Sequence, residues 1–468
     1  MMPMQFLKED EPLKRTMSYL IGNSWVQAPS FIPEIKGEED VDVLLRHTSA
    51  QPQNNPVIVP ANKWPKIINN PKFVIGDTSR GVQQAQLFLE NHPIIFFDPP
   101  ELFRYTMGNE LIKYSLRGDK KLKSLFVNLL KKNDKENALK LADPIFRPFI
   151  ERQWNTIFQD LKIDIGQISN EENSGHIEKA WLDPRVDESY VQYMLNIGNS
   201  AIKMPNSTII PPVPPLMKSS NRAVVSRIVS SNNAASVACQ YLSNESKTKY
   251  ILPYFHLYMD SDIVENSTGN NINTALKILE DGLNKNTSQQ FSGIAITVNG
   301  YDKLFESDHI TKFKMLINDA IMIGNSHSIP TILPRSTYYG LPLLDYGIRG
   351  YSSMMNGSLK YSKGGFSDDP DDKFGKVYLI DQCVELKKRD VIDYIRKNGQ
   401  FPTIPGLPLY PTSEELLHDK LYRLNWSKPR KLSCIEEAKR IRKAQEKGIV
   451  NPAKLYINNS SNKDLNRI

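Results

Sequence analysis

Gly293-Ile-Ala-Ile-Thr-Val-Asn299 is almost wholly apolar and stops on an amide. Tyr250-Ile-Leu-Pro-Tyr-Phe-His-Leu-Tyr-Met-Asp260 stops on a carboxylate, and Ile329-Pro-Thr-Ile-Leu-Pro-Arg335 on a guanidinium. A strand with one solvated face alternates apolar and polar residues. Runs without that alternation belong to strands covered on both faces, as in a parallel sheet wrapped by helices. The intervening segments supply the helices: Leu276, Leu279 and Leu283 recur at helical spacing after Asp260, and Ile310, Phe313, Ile317 and Ala320 after Asn299. Alternation of strand and helix predicts an α/β protein. The polar residues that end the runs mark the strand ends where such folds keep their chemistry.

Extending the pattern both ways gives the strand candidates Phe73–Asp77, Ile94–Asp98, Trp181–Asp183, Thr208–Val213, Tyr250–His256, Gly293–Asn299, Ile329–Leu333 and Arg349–Met354. They predict a (β/α)8 TIM-like barrel over residues 73–360, with an open doubly wound sheet as the alternative. A helical insertion occupies about 101–170, too long for one strand-to-helix connection, and Asp143-Pro144 inside it has the form of a helix start. Residues 1–70 read as an irregular N-terminal extension. Their short runs, Phe31-Ile-Pro-Glu-Ile35 and Val57-Ile-Val59, supply extra strands or cover the barrel bottom, and the proline in the first argues against a central strand. Residues 361–411 read as a loop and strand extension, with a strand at Val377–Ile380. Residues 412–468 read as a basic helical C-terminal appendage. Its helix starts are the capping boxes Thr412-Ser-Glu-Glu415 and Ser433-Cys-Ile-Glu436, and Gly448 is a stop.

With 468 residues, 40% hydrophobic and 24% charged, the chain is long enough to bury a large core without disulfide or metal staples. Cys239, Cys383 and Cys434 lie far apart, with no paired spacing. No apolar stretch has the length of a membrane span, and residues 1–10 carry no signal-peptide core, so a cytoplasmic location away from membranes is expected. The histidines show no zinc spacing. No phosphate-binding glycine fingerprint, zinc-protease helix motif or nucleophile elbow is present.

In a barrel, the residues at and just past the strand ends converge on one mouth. The expected catalytic residues are Asp98, His256 and Asp260. Gathered carboxylates repel, which raises some pKa values and supplies a general acid and base; they are also suitable ligands for Mg2+. Capping of the following helix is the competing role for each aspartate. Alternation places Tyr254, His256 and Tyr258 on one strand face, so His256 serves as a base if that face is the mouth and as a hydrogen-bonded core residue otherwise. The expected substrate-binding residues are Asp77, Tyr258, Asn299, Tyr301, Arg335, Asp345, Lys360, Gly364 and Gly365. Barrels often hold phosphate with the loops after strands seven and eight, which here carry Arg335-Ser-Thr337, Lys360 and Lys363-Gly-Gly365.

Residues 413–468 contain 13 Lys/Arg against 7 Asp/Glu, almost the whole of the net charge of +7. Lys439, Arg440, Lys443 and Lys447 fall on one side of the last helix, a candidate surface for nucleic acid or an acidic protein. Ile435, Ala438 and Ile441 fall mostly on the other, which would instead clad the barrel. The sequence therefore reads as a barrel enzyme acting on a phosphate- or carboxylate-bearing substrate, nucleotides and nucleic acids included, by acid/base or metal-assisted chemistry. Transferase, hydrolase and lyase all fit. The rival is a non-catalytic scaffold that binds nucleic acid or protein through its basic tail.

Overall fold

The computed structural model describes residues 4–5, 18–22, 24–35, 37–46, 55–60, 92–97, 120–132, 134–142, 147, 151, 207–211, 213–246, 252–265, 270–284, 290–305, 309–355, 376–379, 384–387 and 427–447. Three short strands open the chain: β1 (Met4–Gln5), β2 (Ser18–Ile21) and β3 (Ser24–Gln27), paired antiparallel. Eight strands then form one all-parallel sheet: β4 (Ser30–Glu34), β5 (Val57–Val59), β6 (Ile94–Phe97), β7 (Ser207–Ile210), β8 (Tyr254–Asp260), β9 (Gly293–Asn299), β10 (Thr331–Leu333) and β11 (Gly350–Met354). Each pairs with the next in sequence except β7 with β8, and β11 returns to pair with β4 over five residues. The result is a nearly closed (β/α)8 barrel.

Helices cover the outside. Those described are α1 (Glu38–Arg46), α2 (Lys120–Lys131), α3 (Lys135–Leu141), α4 (Arg222–Ser246), α5 (Asp262–Glu265), α6 (Asn270–Asn284), α7 (Tyr301–Phe305), α8 (Ile310–Ser326), α9 (Gly340–Leu343) and α10 (Ser427–Glu446). Strand alternation sorts the core into two clusters. Phe31, Val57, Phe96, Phe255, Leu257, Ile294 and Ile296 face the helices, whereas Ile32, Ile58, Ile95, Ala295 and Ile332 fill the barrel interior. Tyr19, Ile21 and Val26 of the β2–β3 hairpin join the interior cluster, and the Tyr19 hydroxyl bonds Ser30 Oγ at the start of β4, so the hairpin plugs the barrel's N-terminal end.

The barrel starts earlier than its sequence pattern suggests. Its first two strands are Ser30–Glu34 and Val57–Val59, inside the segment expected to be an irregular extension. Phe73–Asp77 and Trp181–Asp183 lie outside the described residues, and the sheet order is complete without them. Pro33 misled the reading. Along a parallel strand the N–H groups alternate between neighbours: Ser30 N–H donates to Arg349 O, and Ile35 N–H to Ile58 O. Position 33 therefore faces β5, just ahead of the point where the β4–β5 register begins at Glu34 and Ile58. The proline withholds a donor where no ladder partner waits for it.

The C-terminal helix is part of the barrel wall. Ile435, Ala438, Ile441 and Ala444 are buried. Lys431 pairs with Glu39 (2.7 Å) and Asp40 (3.2 Å) around α1, and Gln445 donates to the carbonyls of Gln27 (3.1 Å) and Pro29 (2.5 Å). Tyr351 of β11 donates its hydroxyl to Glu437. α10 thus takes the place of the eighth barrel helix, against β11 and β4. It begins at Ser427, so the expected start at Ser433 lies inside it, where Ser433 is buried and Glu436 pairs with Lys439 one turn on. Among the described residues no helix is long and apolar enough to cross a membrane. The expected strand near 377–380 is Lys376–Leu379 (β12), in an antiparallel hairpin with Val384–Lys387 (β13).

Candidate functional site

Two polar groupings occupy the C-terminal mouth of the barrel. The first is an ion pair between Glu34, the last residue of β4, and Arg335, two residues past β10. Arg335 Nε and Nη2 donate to the two oxygens of Glu34 at 2.9 and 2.7 Å. Both side chains are buried. The guanidinium carbon stands 4.9 Å from the centroid of the Phe97 ring, at the end of β6, so one cation links strands one, three and seven of the barrel. Arg335 holds this place with a left-handed backbone, φ +56°, and Thr337 repeats it at φ +55°. A β-branched residue there is a genuine outlier, and each such residue costs about 1–3 kcal/mol. The Arg335 N–H is anchored by Ser352 Oγ of β11 at 2.6 Å.

The second grouping is Asp260 and Asn299, register partners at the ends of β8 and β9. Asn299 Nδ2 donates to Asp260 Oδ2 at 2.6 Å, and the Ser261 N–H donates to Asn299 O at 3.0 Å. Gly300 makes the turn out of β9 at φ +82°, where a side chain would be strained and would crowd Ser261. Among the described residues no group of three or more His, Cys, Asp or Glu gathers as a metal centre. Asp260 and Asn299 offer oxygens suited to Mg2+, but the amide turns its hydrogens, not its oxygen, toward the carboxylate.

His256 sits one layer deeper and is fully buried. Pro211 O can only accept, so Nδ1 carries the proton and donates to it at 2.6 Å; Nε2 then accepts from the Thr297 hydroxyl at 3.0 Å. Burial pushes the ring pKa down to about 4, the Pro211 bond opposes this, and the charge of Arg335 adds to the lowering. Phe97 meets the ring edge-on with centroids 5.5 Å apart. A neutral imidazole with both nitrogens engaged ties β8 to the Pro211 carbonyl and to β9.

Its main chain is held in an unusual way. Where β7 fails to pair with β8, the side chain of Asn232 on α4 takes the role of the missing strand: His256 N–H donates to Asn232 Oδ1 (2.7 Å) and Asn232 Nδ2 donates to His256 O (3.0 Å). Past this point Leu216 forms a single bridge to β8, its N–H donating to Tyr258 O (2.8 Å) and its carbonyl accepting from Asp260 N–H (2.9 Å). The seam between the fourth and fifth barrel strands is closed largely by side chains.

The structure brings His256 and Arg335 together around Phe97, and pairs Asp260 with Asn299. Tyr258 is fully buried in the larger apolar cluster. Tyr301 packs behind β9, stacked on Tyr339 and edge-on to Phe313, in the layer between sheet and helices. Asp345 lies in the 3-10 turn Leu344–Tyr346. Asp77, Asp98, Lys360, Gly364 and Gly365 lie outside the described residues. On α10, Lys439, Lys443 and Lys447 are exposed and Arg440 is half-buried, and Lys439 pairs with Glu436 at 2.5 Å. Sequence reasoning missed Glu34, Phe97, Thr297 and Ser352. Glu34 carried a signal, an acid closing the run Phe31-Ile-Pro-Glu-Ile35, hidden by the proline beside it.

The chain matches no known protein family, and no curated protein is similar enough to it to count as a relative.

Proposed function

We propose that the protein is a barrel enzyme whose C-terminal mouth receives an anionic, phosphate- or carboxylate-bearing substrate beside Arg335. The observation that carries this reading is the buried Glu34–Arg335 pair held by a strained backbone. A buried ion pair is a weak source of stability, because desolvation consumes most of the Coulombic gain; left-handed arginine and threonine cost more still. Strain and buried charge concentrated just past barrel strand seven, where such folds commonly bind phosphate, fit a binding role. Glu34 fixes the plane of the guanidinium fork, so an arriving anion meets an oriented cation. Asp260 at the neighbouring rim is the described carboxylate best placed for proton transfer, and the neutral His256 supports the wall beneath it.

A thermal-shift screen of small phosphates and carboxylates tests this. At least one class should raise the melting temperature in a saturable way in the native chain, and the shift should vanish in the double variant Glu34→Gln/Arg335→Gln, which replaces both charges together. Failure of every anion at millimolar concentration, or an equal shift in the double variant, sinks the reading.

A further inference from the structure

We propose that the outer face of α8 docks a second copy of this chain, antiparallel about a two-fold axis, with the adjacent α6 completing the contact.

The water-facing stripe of a surface helix ordinarily carries charges. On α8 that stripe runs Thr311, Met315, Asn318, Met322, Asn325 at helical spacing and holds none. Met315 and Met322 are 61% and 60% exposed, and methionine is a residue that interfaces favour. The order polar, Met, Asn, Met, polar is the same read from either end, with Asn318 at the centre. That symmetry selects the occupant. A two-fold interface sets a patch against itself reversed, so Met315 lies opposite Met322 and Thr311 opposite Asn325; an unlike partner requires no such pattern. Charge agrees. Lys312, in the first turn, sits where the helix's own dipole disfavours a cation, Lys314 follows it, and the last turn carries no base. Asp319 flanks the other half. α6 packs beside α8 and runs the same way, both returning from the mouth between parallel strands, and beyond Lys277 it exposes Glu280 and Asp281. The antiparallel arrangement lays the basic half of each copy on the acidic half of the other, whereas a parallel one sets like on like. The stripe is about 25 Å long. With α6 beside it the interface falls at the small end of the specific range, so the dimer is reversible, with a Kd of about 1–100 μM.

Analytical ultracentrifugation of the full chain from about 1 to 200 μM tests the inference. The mass should climb with concentration from that of one chain toward that of two. Met322→Lys, which sets a charge in mid-stripe at an exposed position, should weaken association about tenfold or more. Met315→Lys takes its place should that variant fail to fold. Cross-linking reads the orientation, with the native chain as blank. Asn318→Cys, close to the two-fold, should form a disulfide with its own copy under mild oxidation, whereas Thr311→Cys, about 20 Å from its own copy, should not. A chain that stays monomeric at every concentration overturns the proposal and leaves the face to an unlike partner. A dimer that Met322→Lys leaves unchanged overturns it as well, and equal cross-linking of both cysteines refutes the antiparallel pairing.

Discussion

Protonation of His256 should be a principal route by which mild acid weakens this fold. Its pKa in the folded chain is about 4, below the ordinary 6.5, because burial penalises the charged ring. The unfolded chain therefore takes up the proton first. The stability contributed by the neutral ring is complete above pH 6.5 and is lost as pH falls toward 4. At pH 5 the loss from this one group is about 2 kcal/mol, growing to about 3 kcal/mol below pH 4. His92, whose Nδ1 lies 3.1 Å from Asn55 O and whose pKa is also lowered to about 4 by burial, adds a loss of the same sign and size. The two histidines together give about 4 kcal/mol between pH 7.5 and pH 5, which urea denaturation reads in a Glu437→Gln background, since Glu437 acts with the opposite sign over this window. His256→Gln should lower stability at pH 7.5 by about 1–3 kcal/mol, since the Pro211 carbonyl and Thr297 hydroxyl lose their partner. It should also remove about 2 kcal/mol of the loss between pH 7.5 and pH 5. The ring proton resonances of His256 should not titrate above pH 5.5. A midpoint near 6.5 in the folded protein, or an unchanged pH slope in His256→Gln, refutes the buried neutral imidazole.

Three further outcomes are expected. Asn232→Leu leaves the His256 N–H and carbonyl buried without partners, at about 1–3 kcal/mol each, and Asn232→Asp keeps the acceptor but turns a buried carboxylate oxygen onto the Ile228 and His256 carbonyls, so it should cost at least as much at pH 7.5; equilibrium unfolding of the two variants checks this. Ile441→Ala should cost about 2–4 kcal/mol if α10 is barrel wall, against under about 0.5 kcal/mol for a detached tail, as thermal melts will show. Burial raises the carboxyl pKa of Glu437 above its ordinary value, against the Tyr351 hydrogen bond and the charge of Arg440, so stability from this group is complete below pH 4.5 and declines as pH rises through the folded value. Glu437→Gln should flatten that decline and match or exceed the native chain at pH 8 in the same melts.

Strands with two covered faces could be read from sequence because their local composition is decisive. Gly293–Asn299 has the same bounds in pattern and structure, and the fourth to eighth barrel strands carry the ordinal numbers expected of them. Tyr254–Asp260 starts later than its apolar run, after Pro253, which has no N–H to pair. The first two strands were hidden by brevity and by Pro33, whose tolerance depends on which neighbour begins where. The mouth was legible only in part. Ends of strong strands pointed to Asp260, Asn299 and Arg335, but Glu34 meets Arg335 across 301 residues, a distance over which local pattern says nothing. The role of His256 turned on a carbonyl, Pro211 O, that any residue would supply, and on Thr297 facing it from the next strand.

The seam beside His256 has a consequence for how this barrel tolerates change. Between paired strands the linking groups belong to the peptide itself, and almost any side chain leaves them in place. Between β7 and β8 the described links are the His256 ring on the Pro211 carbonyl, the Thr208 hydroxyl on the Leu252 carbonyl and the Asn232 amide that covers the open edge of His256, together with one Leu216 bridge. Closure there is inherited residue by residue. A drift in amino-acid identity that other seams would absorb silently would here unfasten the wall, so these few positions should be among the least replaceable in the chain, whatever reaction the mouth above them performs.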